Sequence, residues 1–384
     1  MAYIRLKTSV PVPMVYAWST ETNNPAGAEW MLMDDITPHL YGTAWREDLL
    51  SFNIKLSLIR QLATYILELY WLRFPEAGSL YFESDAYSKS SLSGTEDDEG
   101  HAFAVGPIVS RHWSPIRKAT RGQVSTTPDV HIPGTLNNRA YHAYRGPFDT
   151  PGEFVAAPLK ANLWLAERFP NETFRSTNEG LHVESGDSHS QTREGHDQVT
   201  IEDLRASFPL MRLAVEACNW YPGAAALDNL KGKTPDMPFT FIWDKMDWSN
   251  LLVSFDGGDA EITGIFNLEF TSIGPLWLAA VPPHGVPYPI DTVDNEQRGT
   301  LEQQEHLFET WLRGIYEGHL GREWKLQWEK GRHWREWCRH VAQDWWKWEE
   351  AGWTEHSLRD LIRWAKENPG KGRDMEKFKH GASL

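Results

Sequence analysis

Phe241-Ile-Trp-Asp-Lys-Met-Asp-Trp-Ser-Asn250 leads into two short apolar runs, Leu251-Leu-Val-Ser254 and Ile262-Thr-Gly-Ile-Phe-Asn-Leu-Glu269, that flank Asp256-Gly-Gly-Asp259. Two central glycines between apolar runs read as a hairpin turn, because the turns that match strand twist need positive φ angles that glycine adopts freely. Polar residues sit just before the first strand and near the end of the second. The stretch therefore reads as a rigid β-hairpin carrying a cluster of acidic, amide and ammonium groups.

Around this hairpin, a chain of 384 residues has room for two lobes and a sizeable core. Its 24% charged and 41% hydrophobic residues are ordinary for a soluble globular protein. A formal net charge of −15 excludes nonspecific binding of polyanions over the whole surface, but leaves room for a local basic patch. Cys218 and Cys338 make neither a disulfide framework nor a metal motif and read as inert thiols of a reducing compartment. Arg5 and Lys7 precede Pro11 and Pro13, which interrupt any apolar run, so the start does not read as a signal peptide. No stretch approaches the ~18 consecutive apolar residues of a membrane helix. Asn171-Glu-Thr173 is a glycosylation sequon in spelling only. A cytoplasmic protein with no membrane partner is expected.

Taken in order, residues 1–35 read as a short helix, a Pro-bounded turn and two strands, the second near Ala28–Met33. Helical spacing of Leu49, Leu50, Phe52, Leu56, Ile59, Leu62, Ile66 and Leu69 predicts a long core helix over 48–72. Polar composition predicts loops at 88–100 and 171–199; the second carries His182, His189 and His196 without the spacing of a metal site. Pro151 and Glu153 suit the start of a helix running to Phe169, and Ile201–Cys218 is again helical by period.

The chain contains 20 Trp, and Trp311, Trp324, Trp328, Trp334, Trp337, Trp345, Trp346, Trp348, Trp353 and Trp364 crowd its last quarter. That region, 301–364, is helical by composition, and its Trp residues alternate with Lys330, Arg332, Arg335 and other cations. Spacings of three and four place Trp pairs on one helix face. Two readings follow: core packing with arginines on the ring edges, or an aromatic and basic surface for nucleic acid, with Lys330, Arg332 and Arg335 on phosphate. The end, 368–384, is rich in Gly and Lys and is expected to fray.

The opening stretch resembles the catalytic loop and metal-binding strand of aminoglycoside phosphotransferase-like kinases, which run His-x-Asp-x-x-x-x-Asn, strand, turn, strand, Ile-Asp-Trp-Glu. Further segments are similar to fungal members of that family, of the branch typified by mitochondrial-inheritance proteins. They are Thr8–Trp18, Gly27–Asp34, Arg73–Phe82, Val105–Arg111, Arg145–Thr150 and Ser272–Trp277. The resemblance implies an α+β, protein-kinase-like fold with a truncated N-lobe and hinge (1–36) and a large helical C-lobe (37–300). A Trp/Arg-rich helical region (301–367) and a flexible tail (368–384) would follow. The glycine-rich strands and phosphate-binding Lys of the family are expected upstream of Met1.

Laid on the family pattern, Trp243 stands at the His position, Lys245 at the catalytic Asp and Asn250 at the Asn. Asn267 replaces the metal-binding Asp, and Glu269 matches the closing Glu. An ammonium does not accept a hydroxyl proton at neutral pH unless strongly desolvated, and a hard dication prefers carboxylate to a neutral amide oxygen. Losing the general base alone costs about 10²–10⁴ in rate. Ordinary phosphoryl transfer is therefore not expected, and neither is a cofactor or a metal.

The remaining groups read as a plain ion-pair cluster or as a reused site. In a reused site Lys245, Asp247 and Glu269 would be catalytic, and Trp243, Asp244, Trp248, Asn250 and Asn267 would bind a small molecule. The expected activity is a condensation or cyclisation in fungal specialised metabolism. One version draws aminoacyl groups from charged tRNA to make a cyclic dipeptide. The alternatives are a non-catalytic pseudokinase scaffold and a small-molecule phosphotransferase with an atypical site.

Overall fold

Each segment condenses where its apolar period finds a partner. The computed structural model describes residues 1–19, 21–35, 39–40, 52–85, 92, 100–109, 144–168, 201–223, 237–243, 250–256, 259–266, 268, 271–281, 319–342, 348 and 352–379. The first half of the chain gives α1 (Ala2–Lys7), β1 (Val15–Ser19), β2 (Trp30–Met33), β3 (His39–Leu40), α2 (Phe52–Trp71), β4 (Ser79–Phe82) and β5 (Phe103–Gly106). Next come α3 (Pro151–Arg168), α4 (Ile201–Ala206), α5 (Phe208–Cys218), β6 (Phe239–Ile242), β7 (Leu251–Asp256), β8 (Asp259–Ile265) and β9 (Ser272–Pro275). The last are α6 (Leu276–Ala279), α7 (His319–Lys330), α8 (Arg332–Ala342), α9 (Glu355–Glu367) and α10 (Glu376–Lys379). They fall into two compact units.

Unit 1 comprises 1–74, 81–104 and 240–329. The expected hairpin is present: β7 and β8 pair antiparallel from Leu251↔Ile265 to Asp256↔Asp259, with a bulge between Leu252 and Val253, and β3 adds to the other side of β7. Alternation gives β8 its faces, with Ala260, Ile262 and Gly264 buried and Asp259 and Glu261 exposed. The outer edge of β8 is closed by side chain and loop rather than by another strand. Gln61 of α2 donates to the Ala260 carbonyl at 2.8 Å and accepts from the Ile262 N–H at 2.9 Å. The Ile265 N–H donates to the Pro11 carbonyl at 2.7 Å. Ser9 in turn gives both its N–H and its hydroxyl to the Glu68 carboxylate of α2, each at 2.6 Å.

The core of unit 1 is phenylic. Tyr3, Phe74, Phe103 and Phe241 meet with centroid separations of 5.0–6.1 Å between their contacting rings. Burying each such side chain contributes about 1.5–3 kcal/mol before entropy is counted. Arg73, just past α2, lies over the rings of Tyr70 and Trp71 and pairs with Glu323 of α7 at 3.0 Å, both side chains largely out of solvent. The helix predicted from Asp48 begins among the described residues at Phe52.

The β1–β2 ladder of the same unit is less covered. Val15 to Ser19 pairs antiparallel with Trp30 to Met33, and every residue of β2 is exposed. Asp34 fastens its end, accepting from the Met14 N–H at 2.7 Å and the Tyr16 hydroxyl at 2.6 Å.

Unit 2 comprises 75–80, 105–239 and 330–384 and is mainly helical. α3 starts at Pro151 with the Thr150 hydroxyl accepting from the Glu153 N–H, as the Pro and acidic residue suggested. The single helix expected over Ile201–Cys218 is two, α4 and α5. Ser207 separates them because Pro209, lacking an N–H, is tolerated only in the first turn of a new helix. α5 packs against α3 and α9, and α8 against α3. Thr354 and Ser357 cap α9 reciprocally. The stretch after Asn368, expected to fray, is packed as far as Lys379: Met375 is 0% and Phe378 4% exposed.

Candidate functional site

At the mouth of the hairpin, Asn250 is buried immediately ahead of β7, and its carbonyl accepts from the Phe266 N–H at 3.1 Å. This bond joins the ends of the two arms, so that Asn267 follows directly on a residue fixed to Asn250. Trp243, just past β6, is half-buried, and its indole N–H is buried with no hydrogen-bond partner among the described residues. An unpaired buried donor costs about 1–3 kcal/mol, which a bound acceptor would offset. The other residues expected here, Asp244, Lys245, Asp247, Trp248, Asn267 and Glu269, lie outside the described residues.

The Trp-rich region separates its aromatic and basic members. Trp334 and Trp337 are buried on one side of α8 together with Val341, while Arg332 and Arg339 are exposed and Arg335 is half-buried. Trp337 meets Trp353 edge-on at 5.4 Å and Trp348 at 6.2 Å. Trp324 of α7 is buried too, stacked on Trp328 at 6.2 Å. Trp324, Trp334, Trp337, Trp348 and Trp353 are core, as the packing reading held, and offer no face to a base, whereas Trp328 is half-buried. Burial pulls the Arg335 guanidinium down to about 10, which leaves it cationic at neutral pH. Lys330 and Arg332 are exposed. The surface aromatic nearest in kind is Trp220, 44% exposed, with the Lys366 ammonium 4.7 Å from its ring.

Burial pushes the Cys218 thiol up to about 12 and raises Cys338 as well, so neither is a thiolate nucleophile near neutrality.

A second group of side chains was not anticipated. Glu336 and His340 of α8 and Glu376 of α10 bring one ligand atom each to within 4.8 Å of one another. Its trace in the sequence is Glu336-Trp-Cys-Arg-His340, a spacing that puts both side chains on one helix face. The third member comes from another helix and leaves no local signal.

Part of the chain is similar to two curated proteins of Aspergillus fumigatus strains, each described as a subtelomeric hrmA-associated cluster protein. Identity is 33% over 140 residues in both cases, covering 35% of this chain and 26% of the relative. The chain thus spans about a quarter of the length of the curated relatives it matches. No family model matches, and no solved structure matches. Among the described residues no helix is long and apolar enough to cross a membrane.

Proposed function

We propose that the chain is a kinase-fold enzyme reused for condensation or cyclisation in fungal specialised metabolism, acting without ATP-dependent phosphoryl transfer. The observation that carries this reading is the Asn250–Phe266 bond, which fixes the two arms of the hairpin at the end that the polar residues flank in sequence. The residues on either side of it have the spacing of a phosphotransferase site and the wrong chemistry for one, with Lys245 and Asn267 where carboxylates are required. The description of the Aspergillus relatives as cluster proteins supports a biosynthetic setting.

In this reading Lys245 anchors an anionic or carbonyl group of the substrate, and Asp247 or Glu269 moves the proton. Trp243 and Trp248 wall the pocket, with Asp244, Asn250 and Asn267 as polar contacts. Charged tRNA as the aminoacyl donor rests on Lys330, Arg332 and Arg335, since the neighbouring indoles of Trp334 and Trp337 are buried.

Asp247→Asn and Glu269→Gln are expected to abolish the product formed in a host expressing the gene while leaving the melting temperature within about 2 °C of the parent, a change that corresponds to no more than about 1 kcal/mol of lost stability. Product unchanged in both would overturn the catalytic assignment. A melting shift with MgATP would return the protein to the nucleotide-using kinases. A scaffold is the second reading, favoured by the fully exposed β2 strand with Met31 51% and Leu32 57% exposed.

A further inference from the structure

We propose that Glu336, His340 and Glu376 form a binding site for one divalent first-row transition ion, zinc by chemistry. The inference stands independently of the hairpin reading.

The donor set is one imidazole and two carboxylates, with their ligand atoms within 4.8 Å of one another. Imidazole favours zinc-like ions over calcium and magnesium, and the carboxylates supply charge without a thiolate. Zinc bonds of about 2.0–2.2 Å require ligand atoms roughly 3–3.5 Å apart.

What makes the site more than a chance gathering is how firmly its third member is delivered. The Arg373 N–H donates to the Tyr221 hydroxyl at 3.1 Å, and that hydroxyl donates to the Arg373 carbonyl at 3.3 Å. Gly372 passes so close to α8 that a Cβ there would lie 3.0 Å from the His333 ring. Met375 and Phe378 are buried on either side of Glu376. The fold therefore holds the Glu376 carboxylate against that of Glu336, a like-charge approach that a bound cation would reward.

One neighbour competes with a cation at this place and two assist it. Lys379 already pairs with Glu376, Nζ to Oε1 2.8 Å, so an ion there shares the carboxylate with an ammonium. His333 Nδ1 lies 3.7 Å from Glu336 Oε2, within reach as an outer partner. The His340 ring stands edge-on to Trp353 at 5.6 Å, which restricts its rotation. Glu336 and His340 are half-buried and Glu376 is exposed, so the ion would enter from the Glu376 side and keep at least one open position.

The test is equilibrium dialysis of the full chain against Zn²⁺ after chelator treatment. His340→Asn and Glu376→Gln are each expected to remove one ion from the stoichiometry. Affinity at that site should fall more than about 100-fold, since loss of an outer partner alone costs roughly 10–100-fold. His356→Asn is the control, because His356 and Asp360 form a similar helical pair, Nε2 to Oδ2 3.1 Å, without a third ligand among the described residues; it should leave binding unchanged. Melts in chelator establish that the variants are folded. Should His340→Asn melt early, the exposed Glu376→Gln decides alone. Unaltered Zn²⁺ stoichiometry in Glu376→Gln, or no ion bound by the parent chain, would overturn the proposal.

Discussion

Unit 1 gathers Tyr and Phe rings around Tyr3 with a shielded ion pair beside them, and unit 2 gathers indoles around Trp353, with the Lys366–Glu216 pair at its surface. In the first, Phe74, Phe103 and Phe241 need no polar partner, and the shielded charge of Arg73 has both rings and Glu323. In the second, Trp348 and Trp353 bury indole N–H groups that have no hydrogen-bond partner among the described residues. The pair Lys366–Glu216 there is separated by 3.9 Å and roughly half-exposed. Indoles supply more contact area per residue and carry a polar handle that the core must tolerate. The two units therefore place their vulnerability differently: volume in unit 2, charge in unit 1.

The largest effect should come from volume. Trp353→Ala is expected to cost about 3–5 kcal/mol in urea unfolding. Trp353→Phe should cost less than half of that, because it removes the unpaired donor along with part of the ring. Equal losses from both would mean that the indole N–H has a partner after all, and the contrast between the units would fail.

Charge comes next. Arg73→Ala leaves Glu323 shielded and uncompensated, and about 3 kcal/mol is expected to be lost, at the lower end of the range for broken buried pairs. Lys366→Ala should change stability by no more than about 1 kcal/mol, as for exposed pairs. Comparable losses at the two sites would erase the distinction.

The smallest effect concerns pH. Hydrogen bonds from Tyr16 and the Met14 N–H lower the Asp34 carboxyl below its ordinary value. A group lowered in the folded state contributes stability above its unfolded pKa, near 4, and loses it as pH falls through the folded value. Asp34→Asn should therefore lower stability slightly at pH 7, converge with the parent well below pH 4, and so flatten the acid limb. An unchanged acid limb would mean that the ladder end is held otherwise.

How far the sequence foretold this depended on the range of the interaction. The apolar runs flanking Gly257-Gly258 and the leucine spacing of α2 are local signals, and the strands β7 and β8 and the helix are where the pattern puts them. The break at Ser207 was written in Pro209 but overridden by the apolar period on either side. The Trp-rich helices could not be decided from sequence, because rings at spacings of three and four suit a core and a binding face equally. Gln61 reaching Ala260 and Ile262 spans about 200 positions and has no local trace. Of the expected catalytic groups only the flanking Trp243 and Asn250 are located, and Glu376 of the second cluster could be found only in three dimensions.

The glutamine that closes β8 has a consequence outside the fold itself. A strand edge with free N–H and C=O groups is a template on which a foreign strand can grow. Gln61 and Pro11 occupy those positions on β8 with groups that cannot be extended, since an amide side chain terminates the ladder it completes. The β7–β8 hairpin is thereby kept from growing into intermolecular sheet along that edge, and the protein can accumulate without this sheet seeding a fibre.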